Sequence, residues 1–446
     1  MIESSKPAGM SLTLKIVLGM TLGIVVGLLF NLAALFGLVS ADGTLWALVI
    51  DGLFGAVGKI FVASLQMLVV PLVFVSLVCG TSALSNPKQL GRIGGKALAM
   101  YVATTALAVS FALFLATLVQ PGKGIDIGEA TFTAKTAPPV MDVIIGMVPK
   151  NPIQAMAEGN MLQIIVFSIL FGLAITLAGA AGKKVRNGFD ALNSVVMRLV
   201  NLLMAIAPYG VFALIAVVLA TLGWDVLKDF LVYFLLVLSA LLVHLFVTYP
   251  ILLTFLARLS PLVFLRKMRA AMLFAFSTAS SNATLPVTLH SVEKKLGAGN
   301  SVSSFTVPLG ATINMDGTAI MQGVATVFIA NAYGQDLSAA QLLTVVLMAT
   351  LASIGTAGVP GVGLIMLAGV LTQVGLPVEA IGLVLGVDRL LDMTRTAVNI
   401  TGDAMVTCVV AKSEGDFDLD TFNDPDAGLD DVPDELSDFQ SLQEQR

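Results

Sequence analysis

Along the first 260 residues, long apolar runs alternate with short charged connections. The runs cover about residues 12–39, 54–81, 95–121, 141–181, 190–222 and 229–258. At 1.5 Å per residue, each is long enough to cross a hydrocarbon core roughly 30 Å thick. The fourth holds Pro149, Asn151 and Pro152, which predicts a break into shorter helices. Beyond about residue 260 the pattern changes. An apolar run is interrupted at Ser277-Thr278-Ala279-Ser280-Ser281-Asn282-Ala283-Thr284-Leu285-Pro286, and the next helix at Asn314-Met315-Asp316-Gly317-Thr318. A second interrupted run, from Ser353 to Gly363, precedes a final apolar run that turns polar between Asp388 and Asp403.

The second half therefore repeats a unit, a small-residue turn ending near proline followed by a helix with polar interruptions. Paired units of this kind mark a binding site at mid-membrane, because non-helical backbone survives at that depth only around protein or a water-filled cavity. Each interrupted run is read as a re-entrant hairpin whose tip offers free N–H groups to a carboxylate.

The last helix carries the chemistry. At 100° per residue, Thr396, Asn399 and Asp403 fall within about 40° of Asp392, with Asp388 and Arg395 on the flanks. Each charge at bilayer depth costs roughly 2.5–3.5 kcal/mol. Three carboxylates and Arg395 facing lipid would cost on the order of 10 kcal/mol, so they are expected to face a polar solute and its accompanying cations.

Composition agrees with a polytopic membrane protein: 57% of residues are hydrophobic and 12% charged. The net charge of −5 conceals an asymmetry. Residues 415–446 hold eleven acids and one base, leaving 18 acids and 23 bases in the body. This tail is expected to be a solvated, disordered extension. Cys79 and Cys408 lie in apolar runs and argue against a disulfide framework. His244 and His290 are too few and scattered for a metal cluster and are read as structural. The run after Lys15 is too long for a signal peptide. Basic residues gather in the second connection (Lys88, Arg92, Lys96), the fourth (Lys183, Lys184, Arg186) and the sixth (Arg258, Arg266, Lys267, Arg269). The odd connections carry fewer, notably Lys123, Lys135 and Lys228. Even connections and both termini are thus expected in the cytoplasm, the chain spanning the cell membrane.

The ordered stretches Ser280-Ser281 with Thr284-Leu285-Pro286, P-L-G-A-T-I-N-M-D-G-T at 308–318, S-I-G-T-A-G-V-P-G at 353–361 and D-x-x-x-D-M-x-R-T-x-x-N-x-T-G-D at 388–403 resemble the dicarboxylate/amino acid:cation symporter family, the glutamate transporter homologues. The resemblance runs from residue 12 to about 414. It implies an all-α integral membrane protein with eight transmembrane helices, two re-entrant hairpins and a homotrimeric assembly in lipid. It further implies a scaffold of residues 1–94 and 141–224, and a transport domain of 95–140, 225–260 and 261–414.

The resemblance places substrate contacts on Ser281, Thr318, Val359, Gly363, Asp392, Arg395, Thr396 and Asn399. Independently, Arg395 presents a planar fork that holds a carboxylate bidentately, and Asp392 one turn away suits an ammonium. A solute with two carboxylates and an amino group, glutamate or aspartate, satisfies both. One sodium is implied among Gly310, Asn314, Asn399 and Asp403, and a second near Thr312, Ser353, Ile354 and Thr356. A third is implied among Tyr101, Thr104, Thr105, Asn314 and Asp316. Hard cations want several oxygens, which unwound backbone and carboxylates supply. No resident cofactor is implied. Ala279 and Met393 stand where family members often place a second arginine, while Arg389 adds a positive charge beside Asp388.

The implied activity is sodium-coupled symport of acidic amino acids, with proton coupling or C4-dicarboxylate transport as the alternative. Asp392 and Arg395 also read as a structural ion pair, and Ser277 to Asn282 as small-residue packing. A gated anion channel using Arg395 is a further class. A membrane hydrolase on a hairpin serine lacks a nearby histidine or lysine base, so the chain is not expected to be an enzyme.

Overall fold

A computed structural model describes residues 12–40, 42–82, 90–125, 145–354, 358 and 360–428. Among them the regular structure is helical, and the one extended pairing is an isolated bridge between Ala298 and Phe417. The helices are α1 (Leu12–Leu35), α2 (Gly55–Ser82), α3 (Gly95–Val119), α4 (Pro152–Glu158), α5 (Met161–Leu177), α6 (Gly179–Met204), α7 (Ala207–Leu222) and α8 (Asp225–Val243). They continue with α9 (Pro261–Thr278), α10 (Ser281–His290), α11 (Asn300–Ile313), α12 (Asp316–Ala332), α13 (Ala339–Ser353), α14 (Val362–Val374), α15 (Ile381–Glu414) and α16 (Leu419–Asn423).

Among the described residues, four continuous helices are long and apolar enough to cross a membrane: Leu14–Leu35, Thr44–Ser82, Arg92–Val119 and Val226–Ala257. The pair α6 and α7, bent by 47°, makes a fifth. The remaining helices are short, interrupted or polar. The fourth apolar run breaks as expected: Asn151 accepts the N–H groups of Ile153 and Gln154 to start α4 behind Pro152, and Asn160 caps α5. One boundary differs from expectation. The basic stretch Lys183-Lys184-x-Arg186 is not a connection but the first turns of α6, which runs unbroken to Met204. Nothing in it forbids a helix, whereas Pro208 just inside α7 lacks the N–H needed to continue from α6.

Interrupted runs form two helical hairpins, α9–α10 and α13–α14. Ala279 ends α9 in the left-handed region at φ 50°, and the Ser280 hydroxyl oxygen accepts the Ala283 N–H to start α10. The left-handed turn at Ala279 puts α10 back against α9, and the small Cβ makes that strain bearable. In the second hairpin, Gly361 at φ 82° leads into α14. Its left-handed backbone is one that glycine adopts without a Cβ penalty.

Every residue of α15 from Arg395 to Ala411 is buried, as is α12 from Asp316 to Ala330. These two helices form the core. The periphery is apolar outward: Leu22, Leu29, Leu48, Ile60 and Phe255 are exposed, the reverse of a water-soluble surface and the form lipid requires. Close backbone contact holds α1 against α7. A Cβ on Gly23 would lie 2.7 Å from the Phe212 carbonyl oxygen, and one on Gly27 2.7 Å from that of Ala216. Small residues four apart are the usual device for such contact in a membrane, where apolar burial between helices contributes little.

The tail expected to be disordered is folded over residues 415–428; residues 429–446 lie outside the described residues. The Gly299 N–H donates to the Asp416 carbonyl (2.9 Å), and the Asp418 N–H to that of Gly297 (2.7 Å). Lys267 Nζ joins the carbonyls of Lys295 and Thr421, both at 2.7 Å, and Phe422 is buried. Arg92 and Lys96 pair with Glu414 at the end of α15. The acidic composition hid two apolar anchors, Phe417 and Phe422, facing a lysine-bearing base. The first fourteen tail residues thus strap the foot of the first hairpin to the end of α15.

Candidate functional site

Between α11 and α12 the chain leaves helical geometry at Asn314 (φ −97°, ψ 92°) and Met315, freeing polar backbone in the protein core. Asn314 donates through Nδ2 to Asp403 Oδ1 (2.9 Å) and to the Asn399 carbonyl (3.3 Å). Asn399 in turn accepts the Gly317 N–H at 2.8 Å and donates to Met315 Sδ at 3.2 Å. The amide side chains thereby tie the unwound segment to α15. Gly310 faces the same carboxylate: a Cβ there would lie 2.8 Å from the Tyr101 hydroxyl and collide with Asp403. Tyr101 itself donates to the Thr306 carbonyl (2.9 Å).

Asp316 is fully buried and taken up on both oxygens. Thr105 donates to Oδ1 at 2.5 Å, with the Thr104 hydroxyl 3.4 Å away. Tyr249 donates to Oδ2 at 2.8 Å and His244 Nε2 lies 3.1 Å from it. Asp403 is different: Oδ2 is buried and has no hydrogen-bond partner among the described residues. A buried carboxylate oxygen without a donor is costly, and no basic side chain is among its described hydrogen-bond partners. A cation or a proton would satisfy it.

Nearer the start of α15 the charges form a ladder. Arg395 donates from Nη1 to Asp388 Oδ1 (2.5 Å) and from Nη2 to Asp392 Oδ1 (2.8 Å). Asp392 Oδ2 accepts the Gly361 N–H from the second hairpin (3.1 Å), and Arg389 Nη1 lies 3.4 Å away. Asp388, Asp392 and Arg395 are all buried, Arg395 at 1% exposure. Two carboxylates and two guanidinium groups balance.

The hairpin tips close over this ladder. The Gly358 carbonyl accepts from Asn282 N (3.1 Å) and Ser280 Oγ (2.7 Å), joining one tip to the other. Ser281 lies against Gly358, where an added Cβ would be 3.0 Å from its own. Gly363 is open toward α12 and α15: a Cβ there would meet Thr318 Cγ2 at 3.1 Å and Arg395 Nη2 at 3.4 Å. Thr396 sits a turn below Asp392, its hydroxyl donating to that residue's carbonyl. Ser353, at the end of α13 beside Ile354, donates to the carbonyls of Thr350 (2.8 Å) and Ile313 (3.2 Å). Thr312 turns its hydroxyl back to Leu309. Thr356 and Val359 lie outside the described residues.

Periodicity puts Asp388 on the flank of the polar face without a specific role, gives no signal at Tyr249, and leaves His244 reading as structural. Asp388 is the bidentate partner of Arg395. His244 and Tyr249, five residues apart, share a face because the helix widens to five-residue turns over His244–Thr248, putting their rings 4.4 Å apart. Wide turns of this kind cluster at functional sites, but a 3.6-residue period separates the two side chains by more than a quarter turn.

A family model for the sodium:dicarboxylate symporter family matches residues 12–413. The proton/glutamate-aspartate symporter of Escherichia coli (strain K12) is 36% identical over 92% of this chain and 94% of that protein. The proton/sodium-glutamate symport protein of Bacillus subtilis (strain 168) is 36% identical over 81% of this chain and 86% of its own length. The C4-dicarboxylate transport protein of the same organism is 33% identical over 81% and 87%. These relatives are transporters, not enzymes. A helical membrane protein with this motif order and matched over nearly its whole helical body belongs to the sodium:dicarboxylate symporter family.

Proposed function

We propose that this chain is a secondary active symporter of L-aspartate and L-glutamate, driven by an inward sodium gradient. The observation that carries the reading is the juxtaposition of two chemistries. A charge-balanced arginine ladder lies beside the second hairpin, two to three turns along α15 from Asp403, a buried carboxylate with one oxygen unpartnered among the described residues. The first suits a zwitterion with an extra carboxylate, and the second suits small cations.

Substrate entry is then an exchange of partners. Arg395 releases Asp392 and takes the side-chain carboxylate, while Asp392 takes the ammonium. Each buried charge keeps a partner throughout, so the swap avoids the several kcal/mol that an isolated ion would cost. Sodium bound by Asp403, Asn314 and the Gly310 and Asn399 carbonyls orders the unwound segment. Asn399 holds that segment through the Gly317 N–H, one residue before Thr318. Cation and solute thus share one element, and each raises the other's affinity. Ser353 with Ile354, and Tyr101 with Thr104, Thr105 and Asp316, complete two further cation sites in this reading.

The second hairpin acts as the outer gate, its Gly361 N–H leaving Asp392 as it opens. Helices α3 and α8 to α15 then move as one body across a scaffold of α1, α2 and α4 to α7 in a homotrimer, termini cytoplasmic. The dense packing of α1 on α7, and of α3 on α12, is compatible with that division.

Proton coupling is the second reading, favoured by His244 on Asp316 Oδ2. Uptake of labelled aspartate, glutamate and succinate into proteoliposomes under imposed sodium or proton gradients separates the two. The expected result is saturable aspartate uptake that follows sodium and vanishes in Arg395→Cys. Normal aspartate uptake by that variant would remove Arg395 from the site.

A further inference from the structure

We propose that the corner where α5 turns into α6 binds a phosphate group, carried by the headgroup of an anionic phospholipid in the surrounding bilayer. None of the residues involved belongs to the candidate transport site.

The chain turns that corner at Gly179, whose left-handed backbone (φ 59°) glycine adopts without a Cβ penalty. A cavity of about 410 Å³ opens beside it, within the range of roughly 300–1,000 Å³ usual for small-molecule sites. Ser82 at the end of α2, Thr176 in the last turn of α5, and Gly179, Lys183 and Arg186 of α6 line it. Lys183 and Arg186, three residues apart, share one face of α6. No acid lines the cavity. Asp190, a turn further along α6, lies 3.8 Å from Arg186 Nε and is half exposed, so water screens much of its charge. Lys183 has no ion pair among the described residues.

The buried end of the cavity is polar too. Ser82 is 2% exposed, and its hydroxyl donates to the Cys79 carbonyl at 3.2 Å. Thr176 donates to the Gly172 carbonyl, also at 3.2 Å. Both bonds are long against the usual O–H···O distance of about 2.7–2.8 Å, so either hydroxyl can turn to a better acceptor. Two cations and two hydroxyls around one space suit an anion with more than two oxygens. A guanidinium takes two phosphate oxygens side by side, and the lysine adds a point charge.

The flank of the corner indicates where the phosphate comes from. Leu170, Leu173 and Leu177 are exposed on one face of α5 and lead up to the cavity. The helix carrying them is apolar from Gln163 to Leu177, and the first charges beyond it are Lys183 and Lys184. A cavity at that boundary sits at the level where a bilayer holds its phosphates, with the leucines at the level of the acyl chains. An amphipathic anion fits both parts, whereas a soluble phosphate ester uses only the first.

The test follows the Tm of the purified full chain in detergent as dioleoyl phosphatidylglycerol is added. Dioleoyl phosphatidylcholine and glycerol 3-phosphate are the other two arms. Phosphatidylglycerol is expected to raise Tm saturably, and phosphatidylcholine to need about tenfold more for the same shift. Lys183→Gln and Arg186→Gln should each weaken the apparent affinity about fivefold, the scale for one cation at a membrane surface, and together about 25-fold. Ser82→Ala should weaken it with no change in net charge. Lys184→Gln removes the same charge from a neighbour that does not line the cavity, and should leave the affinity unchanged. If it weakens binding as much as Lys183→Gln does, the attraction is diffuse surface charge and the proposal fails. The proposal fails equally if the two lipids bind alike, or if no phosphate compound moves Tm. Glycerol 3-phosphate acting as strongly as the lipid would keep the phosphate site and overturn its assignment to a headgroup.

Discussion

Replacing Asp403 by asparagine separates the cost of a buried charge from its use. The substitution keeps the shape and the Asn314 Nδ2 bond, now made to an amide oxygen, and removes the negative charge whose second oxygen is unpartnered. Without cations the variant should be the more stable protein. An uncompensated carboxylate at 1% exposure costs about 3 kcal/mol or more, whereas an orphaned amide N–H costs about 1–2 kcal/mol. The net gain is about 1–2 kcal/mol, seen as a higher Tm in choline buffer. Cation binding should move the other way. At roughly 2.4 Å and an effective dielectric constant of about 20, the attraction has a ceiling near 7 kcal/mol. Ion dehydration cancels about half, leaving about 3–4 kcal/mol, a loss of about 100- to 1,000-fold in affinity. Thermal denaturation across a sodium titration reads both signs in one experiment. In the parent, Tm climbs with sodium; in Asp403→Asn it should start higher and climb less over the same range, the two other cation sites remaining. A variant that is less stable without sodium, or that keeps the parental sodium dependence, refutes the reasoning.

Gly23→Leu should separate α1 from α7, since even a Cβ there lies 2.7 Å from a carbonyl oxygen; a loss of about 1–3 kcal/mol is expected, read as a lower Tm, while Gly23→Ala should cost less. Phe422→Ala should loosen the tail strap and raise amide exchange in residues 295–301 without affecting exchange in α12, and protection left unchanged would show the strap to be dispensable. The strap should also respond to acid. The Thr421 hydroxyl and the backbone N–H groups of Thr421 and Asp420 hold the Asp418 carboxyl below its usual range. Its contribution is therefore complete above the unfolded value of about 4 and is lost only as pH falls through the lower folded value. Protection in residues 416–422, taken relative to the intrinsic exchange rate at each pH, should stay constant down to about pH 4 and fall below it, and Asp418→Asn should abolish that change.

How far each element was legible depended on the range of the interaction that makes it. Hairpin breaks and the unwound Asn314-Met315 segment are local events, set by small residues, proline and polar side chains within a few positions. The polar face of α15 is also local, and Asp392, Thr396, Asn399 and Asp403 do share it. Periodicity did not say that the opposite face is buried as well. The helix is enclosed on every side from Arg395 to Ala411, so no lipid-facing stripe marks its orientation. Composition misled at the tail, where net acidity outweighed two aromatic anchors that only a partner surface makes useful. It misled again at α6, where three basic residues look like a loop but extend a helix.

From the order of residues alone came the membrane, the paired interrupted segments and the side chains that bear charge within them, because burial in lipid penalises each of these within its own helix. Which charge answers which was decided only by the folded chain. The Tyr249–Asp316 bond spans 67 residues and Thr105–Asp316 spans 211. Pairings over such separations are chosen by how whole helices pack, and no spacing in the sequence carries that information.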